Sequence, residues 1–228
     1  CKKEKDLLGP NTHYRLPTNN GVYRILSNGT RQVINQNGQL VATLQHFPQH
    51  CPTISSSGRF ISYVILSDIK ITKSILIDLR DARIFEYEGL PANFSPDEKY
   101  FTYPLANEVF VCTSEDKKTI ARHSFSKYNP HIKTVLMSNT HIVIIWQGFY
   151  GTVTVMEIGG KIVKHSEALA YSHLQSHLYP DGTLLSVGTT EIKKIKFNFE
   201  KKVPPNVELI EKPESATPNV EMSQNEQR

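Results

Sequence analysis

Pro52-Thr53-Ile54-Ser55-Ser56-Ser57-Gly58-Arg59-Phe60-Ile61-Ser62-Tyr63 recurs forty residues later as Ala92-Asn93-Phe94-Ser95-Pro96-Asp97-Glu98-Lys99-Tyr100-Phe101-Thr102-Tyr103. The alignment sets Ile54 on Phe94, Ser55 on Ser95, Arg59 on Lys99, Phe60 on Tyr100, Ile61 on Phe101 and Tyr63 on Tyr103. A third copy runs through Leu178-Tyr179-Pro180-Asp181-Gly182-Thr183-Leu184-Leu185-Ser186-Val187, with a degenerate member, Met137-Ser138-Asn139-Thr140-His141-Ile142-Val143-Ile144, between the two. The period is about 40 to 42 residues, and each copy is a polar turn that feeds an apolar strand. That spacing is the one of propeller blades. A four-stranded sheet cannot bury both of its faces alone, so such sheets stack around an axis and cover one another.

The flanking sequence supplies the strands. Val22 to Leu26, Arg31 to Asn35 and Gln39 to Gln45 are separated by Ser27-Asn28-Gly29 and Gln36-Asn37-Gly38. Asn-Gly between short apolar-rich runs signals a hairpin, because a type I′ turn needs positive φ at both central residues. Further hairpins are expected from Ser74 to Tyr87 through Arg80-Asp81, from Glu108 through Ser114-Glu115-Asp116-Lys117, and from Thr152 to His165 through Gly159-Gly160. No stretch carries a 3.6-residue apolar stripe over three turns, so the fold class is all-β.

Phe94-Ser95-Pro96-Asp97-Glu98-Lys99-Tyr100-Phe101 and Tyr179-Pro180-Asp181-Gly182-Thr183-Leu184-Leu185 resemble the F-S-P-D-G-K-x-L/I signature of WD40-like and TolB-like propeller repeats. The resemblance spans Val22 to about Glu200. It implies that the turn leads into the second strand of a blade and that the apolar pair after it packs between blades. Glu98 stands where the signature has glycine, Ser138-Asn139-Thr140 lacks the proline, and no Trp-Asp dipeptide closes a blade.

At this period the repeat region holds about five blades in a small propeller-like array. The alternatives are an open or partial propeller and a twisted β-meander. The run Ile192 to Phe199 is expected to complete a blade begun by N-terminal strands. Residues 1–20 read as a tether, 21–200 as the β-propeller-like domain, and 201–228 as a disordered polar tail interrupted by Pro204, Pro205, Pro213 and Pro218.

Of the 228 residues, 39% are hydrophobic and 21% charged, with a net charge of +4, the balance of a chain that buries a core. The densest apolar cluster, Ile142 to Trp146, is of strand length, which excludes a polytopic helical membrane protein. Scattered lysines and arginines give no support for nucleic-acid binding. The leader Cys1-Lys2-Lys3-Glu4-Lys5-Asp6 resembles the mature N-terminus of bacterial lipoproteins. That resemblance implies lipidation of Cys1 and membrane anchoring at the cell envelope, outer membrane or periplasm-facing, without a spanning segment. An envelope location permits a disulfide between Cys51 and Cys112, worth about 4 kcal/mol for a loop of roughly 60 residues. The other reading makes Cys112, within Val109-Phe110-Val111-Cys112, a small buried hydrophobe.

No catalytic motif is present: no Gly-x-Ser-x-Gly elbow, no phosphate-binding glycine loop and no Cys-x-x-Cys pair. The pairs His46/His50 and His173/His177 have the four-residue spacing of a helical zinc site but lie in non-helical sequence, and Asp68, Asp78, Asp81, Asp97 and Asp181 read mostly as turn residues. No metal, cofactor or catalytic residue is assigned. The functional candidate is Trp146-Gln147-Gly148-Phe149-Tyr150-Gly151, in which Trp146, Phe149 and Tyr150 could project from a glycine-bounded loop as protein-binding anchors; the competing reading packs Trp146 between blades. The expectation is a non-catalytic, lipid-anchored protein-binding module of the envelope: a scaffold, an assembly factor or a toxin-neutralising immunity lipoprotein. The alternatives are a hydrolase acting on a glycan or phosphate ester at the propeller axis, and an intracellular WD40-like interaction domain of a longer chain.

Overall fold

The computed structural model describes residues 12–26, 30–48, 52–67, 70–125, 132–146, 150–159, 161–171, 175–179, 181–188, 191–197, 199 and 206–211. These form twenty strands in five antiparallel four-stranded sheets, arranged as a five-bladed β-propeller. Blade 1 contains β1 (Thr12–Thr18), β2 (Gly21–Leu26), β3 (Gln32–Ile34) and β4 (Leu40–Thr43). Blade 2 contains β5 (Thr53–Ile54), β6 (Phe60–Ser67), β7 (Lys70–Asp78) and β8 (Arg83–Tyr87). Blade 3 contains β9 (Asn93–Phe94), β10 (Tyr100–Leu105), β11 (Glu108–Thr113) and β12 (Thr119–Ser124). Blade 4 contains β13 (Ile132–Met137), β14 (His141–Trp146), β15 (Tyr150–Glu157) and β16 (Ile162–Tyr171). Blade 5 contains β17 (Gln175–Leu178), β18 (Thr183–Val187), β19 (Glu191–Lys196) and β20 (Asn206–Glu211). Within every sheet the strands pair in chain order, and the first strands of blades 1 to 5 neighbour one another in succession.

The structure moves two expected boundaries. β1 lies inside the stretch expected to be a tether, and β20 inside the one expected to be a disordered tail. Asn206 to Glu211 pairs with β19 from Lys196 to Glu191, and the β-branched and apolar Val207, Leu209 and Ile210 suit a strand despite the prolines before it. β19 itself sits between β18 and β20, so it completes no N-terminal blade. Cys1 and Cys51 lie outside the described residues. Cys112 is a free, fully buried thiol with the Thr119 hydroxyl 3.5 Å away, and burial pushes its pKa up.

The blades hold together because consecutive side chains of a second strand enter different cores. In β14, Ile142, Ile144 and Trp146 pack with Val109 and Val111 of blade 3, while Val143 and Ile145 pack with Leu184, Ile195 and Phe197 of blade 5. Every residue of β14 is buried, and each fully buried aliphatic side chain contributes about 1.5 to 3 kcal/mol. In the same way Ile61 and Tyr63 of β6 join Tyr14, Leu16, Ile25 and Val33 of blade 1, while Phe60 faces Phe101, Tyr103 and Cys112 of blade 3. Four such cores link the five blades in order.

The repeated turn has a common chemistry. In blades 2, 3 and 4 the hydroxyl of its first serine accepts the N–H of the residue that opens the second strand: Ser55 from Phe60 at 3.0 Å, Ser95 from Tyr100 at 3.0 Å and Ser138 from His141 at 2.9 Å. Blade 5 has Tyr179 at that place, and the Asp181 carboxylate accepts the Thr183 N–H at 2.9 Å instead. The turn demands a left-handed residue, supplied by Gly58 at φ 85° and Gly182 at φ 82°; Glu98 adopts it at φ 57°. A side chain there costs about 1 to 2 kcal/mol of backbone strain. The Glu98 carboxylate offsets it by reaching blade 2, where it accepts from the Ser57 N–H at 2.6 Å and the Ser57 hydroxyl at 2.8 Å. Neighbouring turns are tied alike: Asn19 N–H donates to Ser56 O at 2.7 Å, and Asp97 N–H to the Asn139 side-chain oxygen at 2.9 Å.

Candidate functional site

The first strands, packed side by side, border a cleft of about 320 Å³ in the region of blades 2 to 4. Its wall consists of Thr53 of β5, Asn93 of β9, Pro104 of β10, Lys133, Thr134 and Val135 of β13, and the connecting residues Leu90 and Pro91. Buried hydrogen bonds fix the connecting segment. Ser74 hydroxyl donates to Gly89 O at 2.6 Å, Leu90 N–H to Pro104 O at 3.0 Å and Ala92 N–H to the Ser62 hydroxyl at 3.0 Å, while Thr53 hydroxyl donates to Ala92 O. Ser62 also bonds the Tyr87 phenol at 2.8 Å, whose pKa burial raises far above its ordinary value. Gly89 sits at φ 123°, and a Cβ there would stand 2.5 Å from Pro104 O, so the rim cannot carry a side chain at this point.

The cleft wall is mixed in composition. Leu90, Pro91, Pro104 and Val135 are apolar, Thr53, Asn93 and Thr134 are neutral donors and acceptors, and Lys133 brings the single charge, its pKa lowered by partial burial. None of these described lining residues is a carboxylate. Sequence reading missed all eight positions. Lys133 in the run Ile132-Lys133-Thr134-Val135 was the available signal, a charge placed inside an otherwise strand-like apolar segment.

A second polar cluster lies at the blade 2 and blade 3 interface. Asp78 is fully buried and accepts from Arg59 Nη2 at 2.8 Å, Arg59 Nε at 3.1 Å and Arg80 Nη2 at 3.2 Å. Arg59 also reaches Glu115 at 2.8 Å and lies 4.3 Å from the Phe60 ring centroid, with Lys117 4.7 Å from that centroid. Its donors are matched by carboxylates within the fold, and it reads as a clamp between two blades.

The aromatic candidates separate. Trp146 is 4% exposed, its indole N–H donates to the Thr154 hydroxyl at 2.9 Å, and its ring meets Phe125 edge-on at 4.9 Å. It is a core residue between blades 3 and 4, which corrects the expectation that its ring projects from a loop: as the last residue of β14 it faces a core that the neighbouring sheet completes. Phe149 lies outside the described residues, and Tyr150 opens β15 with its side chain outside them. His46 falls in a bend after β4, His177 lies exposed in β17 against Tyr179, and His50 and His173 lie outside the described residues. Among the described residues no group of three metal-ligating side chains converges.

The fold defines the class: a five-bladed β-propeller built from one repeated four-stranded unit. No protein-family model matches the sequence, and no curated protein does. Solved structures do. The β-propeller domain of Cps50 (Swd1) from Myceliophteria thermophila superposes with a TM-score of 0.63 at 11% identity, covering 86% of this chain and 70% of that one. A eukaryotic initiation factor superposes with a TM-score of 0.53 at 12% identity, covering 92% of this chain and 55% of that one. At these identities the likeness establishes the fold.

Proposed function

We propose that the chain is a non-catalytic scaffold module that holds a segment of a partner protein in the cleft bordered by β5, β9 and β13. The observation that carries this reading is the cleft wall, apolar and neutral with one cation, its rim fixed by buried hydrogen bonds. Such a wall is pre-organised for binding, which lowers the ordering cost of association. The propeller fold of the structural neighbours fits the same role. Scaffolding, assembly and toxin neutralisation are the forms it can take.

The test is quantitative capture from native extract by the wild-type chain and by Asn93→Arg and Thr134→Arg. A saturable protein partner retained by the wild type and lost in both variants, at unchanged melting temperature, is the expected result. Retention by both variants, or turnover of a glycan or phosphate ester by the wild type, overturns it. Envelope anchoring is a separate proposal resting on the Cys1 leader. Labelled palmitate should enter the full-length chain and vanish in Cys1→Ser; label that persists in the variant sinks the anchor.

A further inference from the structure

From Leu7 to Ser67 the sequence contains no aspartate or glutamate, yet it holds Arg15, Arg24, Arg31 and Arg59. Blade 1 therefore carries only positive formal charge among its described strands and turns. Two of its arginines oppose each other: Arg15 of β1 pairs directly with Arg24 of β2. Directly opposed residues share one sheet face, where like charges repel. No hydrogen bond or ion pair to either guanidinium is found among the described residues.

This face looks away from blade 2. Tyr14, Leu16, Ile25 and Val33 fill the core shared with blade 2, and the register sends Arg15, Pro17, Val22, Arg24 and Ile34 to the other side. Leu40, opposite Ile34, continues the row. Val22 is 38% exposed and Leu40 57% exposed, two of the few large exposed hydrophobic side chains among the described residues. Cores join blades 1 to 2, 2 to 3, 3 to 4 and 4 to 5, and among the described residues none joins blade 5 to blade 1.

We propose that this face of blade 1 docks an acidic β-segment of a partner protein, packed face-on in the position a neighbouring blade takes elsewhere. Its carboxylates meet Arg15 and Arg24 in bidentate pairs, and its apolar side chains cover Val22 and Leu40. A second copy of this chain does not fit: the same face would bring arginine to arginine. On the far face of blade 5 the register sets Lys194 and Lys196 of β19 beside one carboxylate position of β20, Glu208, too little negative charge to meet two arginines. A nucleic acid fits less well, because the aromatic rings described in blade 1, Tyr14, Tyr23 and Phe47, belong to the core on the opposite side and leave no stacking platform.

The site is distinct from the cleft between β5, β9 and β13, so Lys133→Glu serves as the control. Fluorescence anisotropy on the full chain would use a dye-labelled peptide of about twelve residues alternating Glu and Val. The same peptide alternating Lys and Val and an oligouridylate of equal length complete the set. Expected are binding of the Glu peptide that weakens with salt, at least about tenfold weaker binding in Arg15→Glu/Arg24→Glu and in the milder Arg15→Gln/Arg24→Gln, and no change in Lys133→Glu. The proposal is overturned if the Glu peptide does not bind, if both peptides bind equally, if the Gln variant binds as the wild type does, or if the oligouridylate binds more tightly.

Discussion

At the residue scale, three side chains test the packing. Trp146→Ala removes a buried indole between blades 3 and 4 and should cost about 3 to 5 kcal/mol in urea unfolding; a loss below 1 kcal/mol would return the ring to the surface. Glu98 trades backbone strain for bonds to Ser57, so Glu98→Ala keeps the strain and loses the bonds. Glu98→Gly should be about 1 kcal/mol more stable than Glu98→Ala in the same assay. His141 is buried, stacked on Phe199 at 4.3 Å, with Nδ1 2.8 Å from the Thr140 hydroxyl and Nε2 without a hydrogen-bond partner among the described residues. Burial lowers its pKa below the ordinary value of 6.5, so the unfolded chain takes the proton first. Stability is therefore full above pH 6.5 and falls as pH drops toward the folded pKa. The urea midpoint should fall from pH 7.5 to 5.5, and His141→Phe should reduce that slope; His123, also lowered by burial, keeps part of it. Trp146 shows why sequence reads turns better than sites. Glycines beside it suggest a loop, but its burial is decided by Val109 and Val111 from another blade.

At the element scale, second strands tell internal blades from terminal ones. β6, β10 and β14 read Phe-Ile-Ser-Tyr-Val-Ile-Leu, Tyr-Phe-Thr-Tyr-Pro-Leu and His-Ile-Val-Ile-Ile-Trp, near-continuous apolar runs covered on both faces. β2 and β19 read Gly-Val-Tyr-Arg-Ile-Leu and Glu-Ile-Lys-Lys-Ile-Lys, and Arg24 of β2 and Lys194 and Lys196 of β19 fall on the side away from the neighbouring blade's core. Val143→Lys in β14 should abolish or severely lower stability, by several kcal/mol, because a lone ammonium is buried there. Val22→Lys in β2 should change it by no more than about 0.5 kcal/mol. Thermal melts of the two variants decide the point. The blades were legible because their turns repeat a chemistry, Ser Oγ or Asp Oδ accepting the N–H that opens the next strand. β20 was not, because Pro204 and Pro205 and a polar tail outweigh a six-residue strand whose register only β19 supplies. The cleft was illegible for the same reason: its wall is assembled from β5, β9, β10 and β13, each contributing one to three residues.

At the scale of the whole molecule, an array in which each blade leans on its neighbours stabilises its middle first. Amides of blades 2 to 4 should exchange with deuterium more slowly than those of blades 1 and 5; uniform protection across the five would mean that the terminal faces are covered in the isolated chain. Among the described residues, every sheet is also built from one stretch of chain, with no strand taken from the opposite terminus. Synthesis on the ribosome therefore delivers finished building blocks in order. Blade 1 has all its strands once Thr43 has emerged, and the core it shares with blade 2 once Tyr87 follows, long before the last strand exists. Nascent chains stalled well beyond Tyr87 should already shield their first two sheets from protease, whereas a propeller closed by strand exchange would have to wait for its final residues.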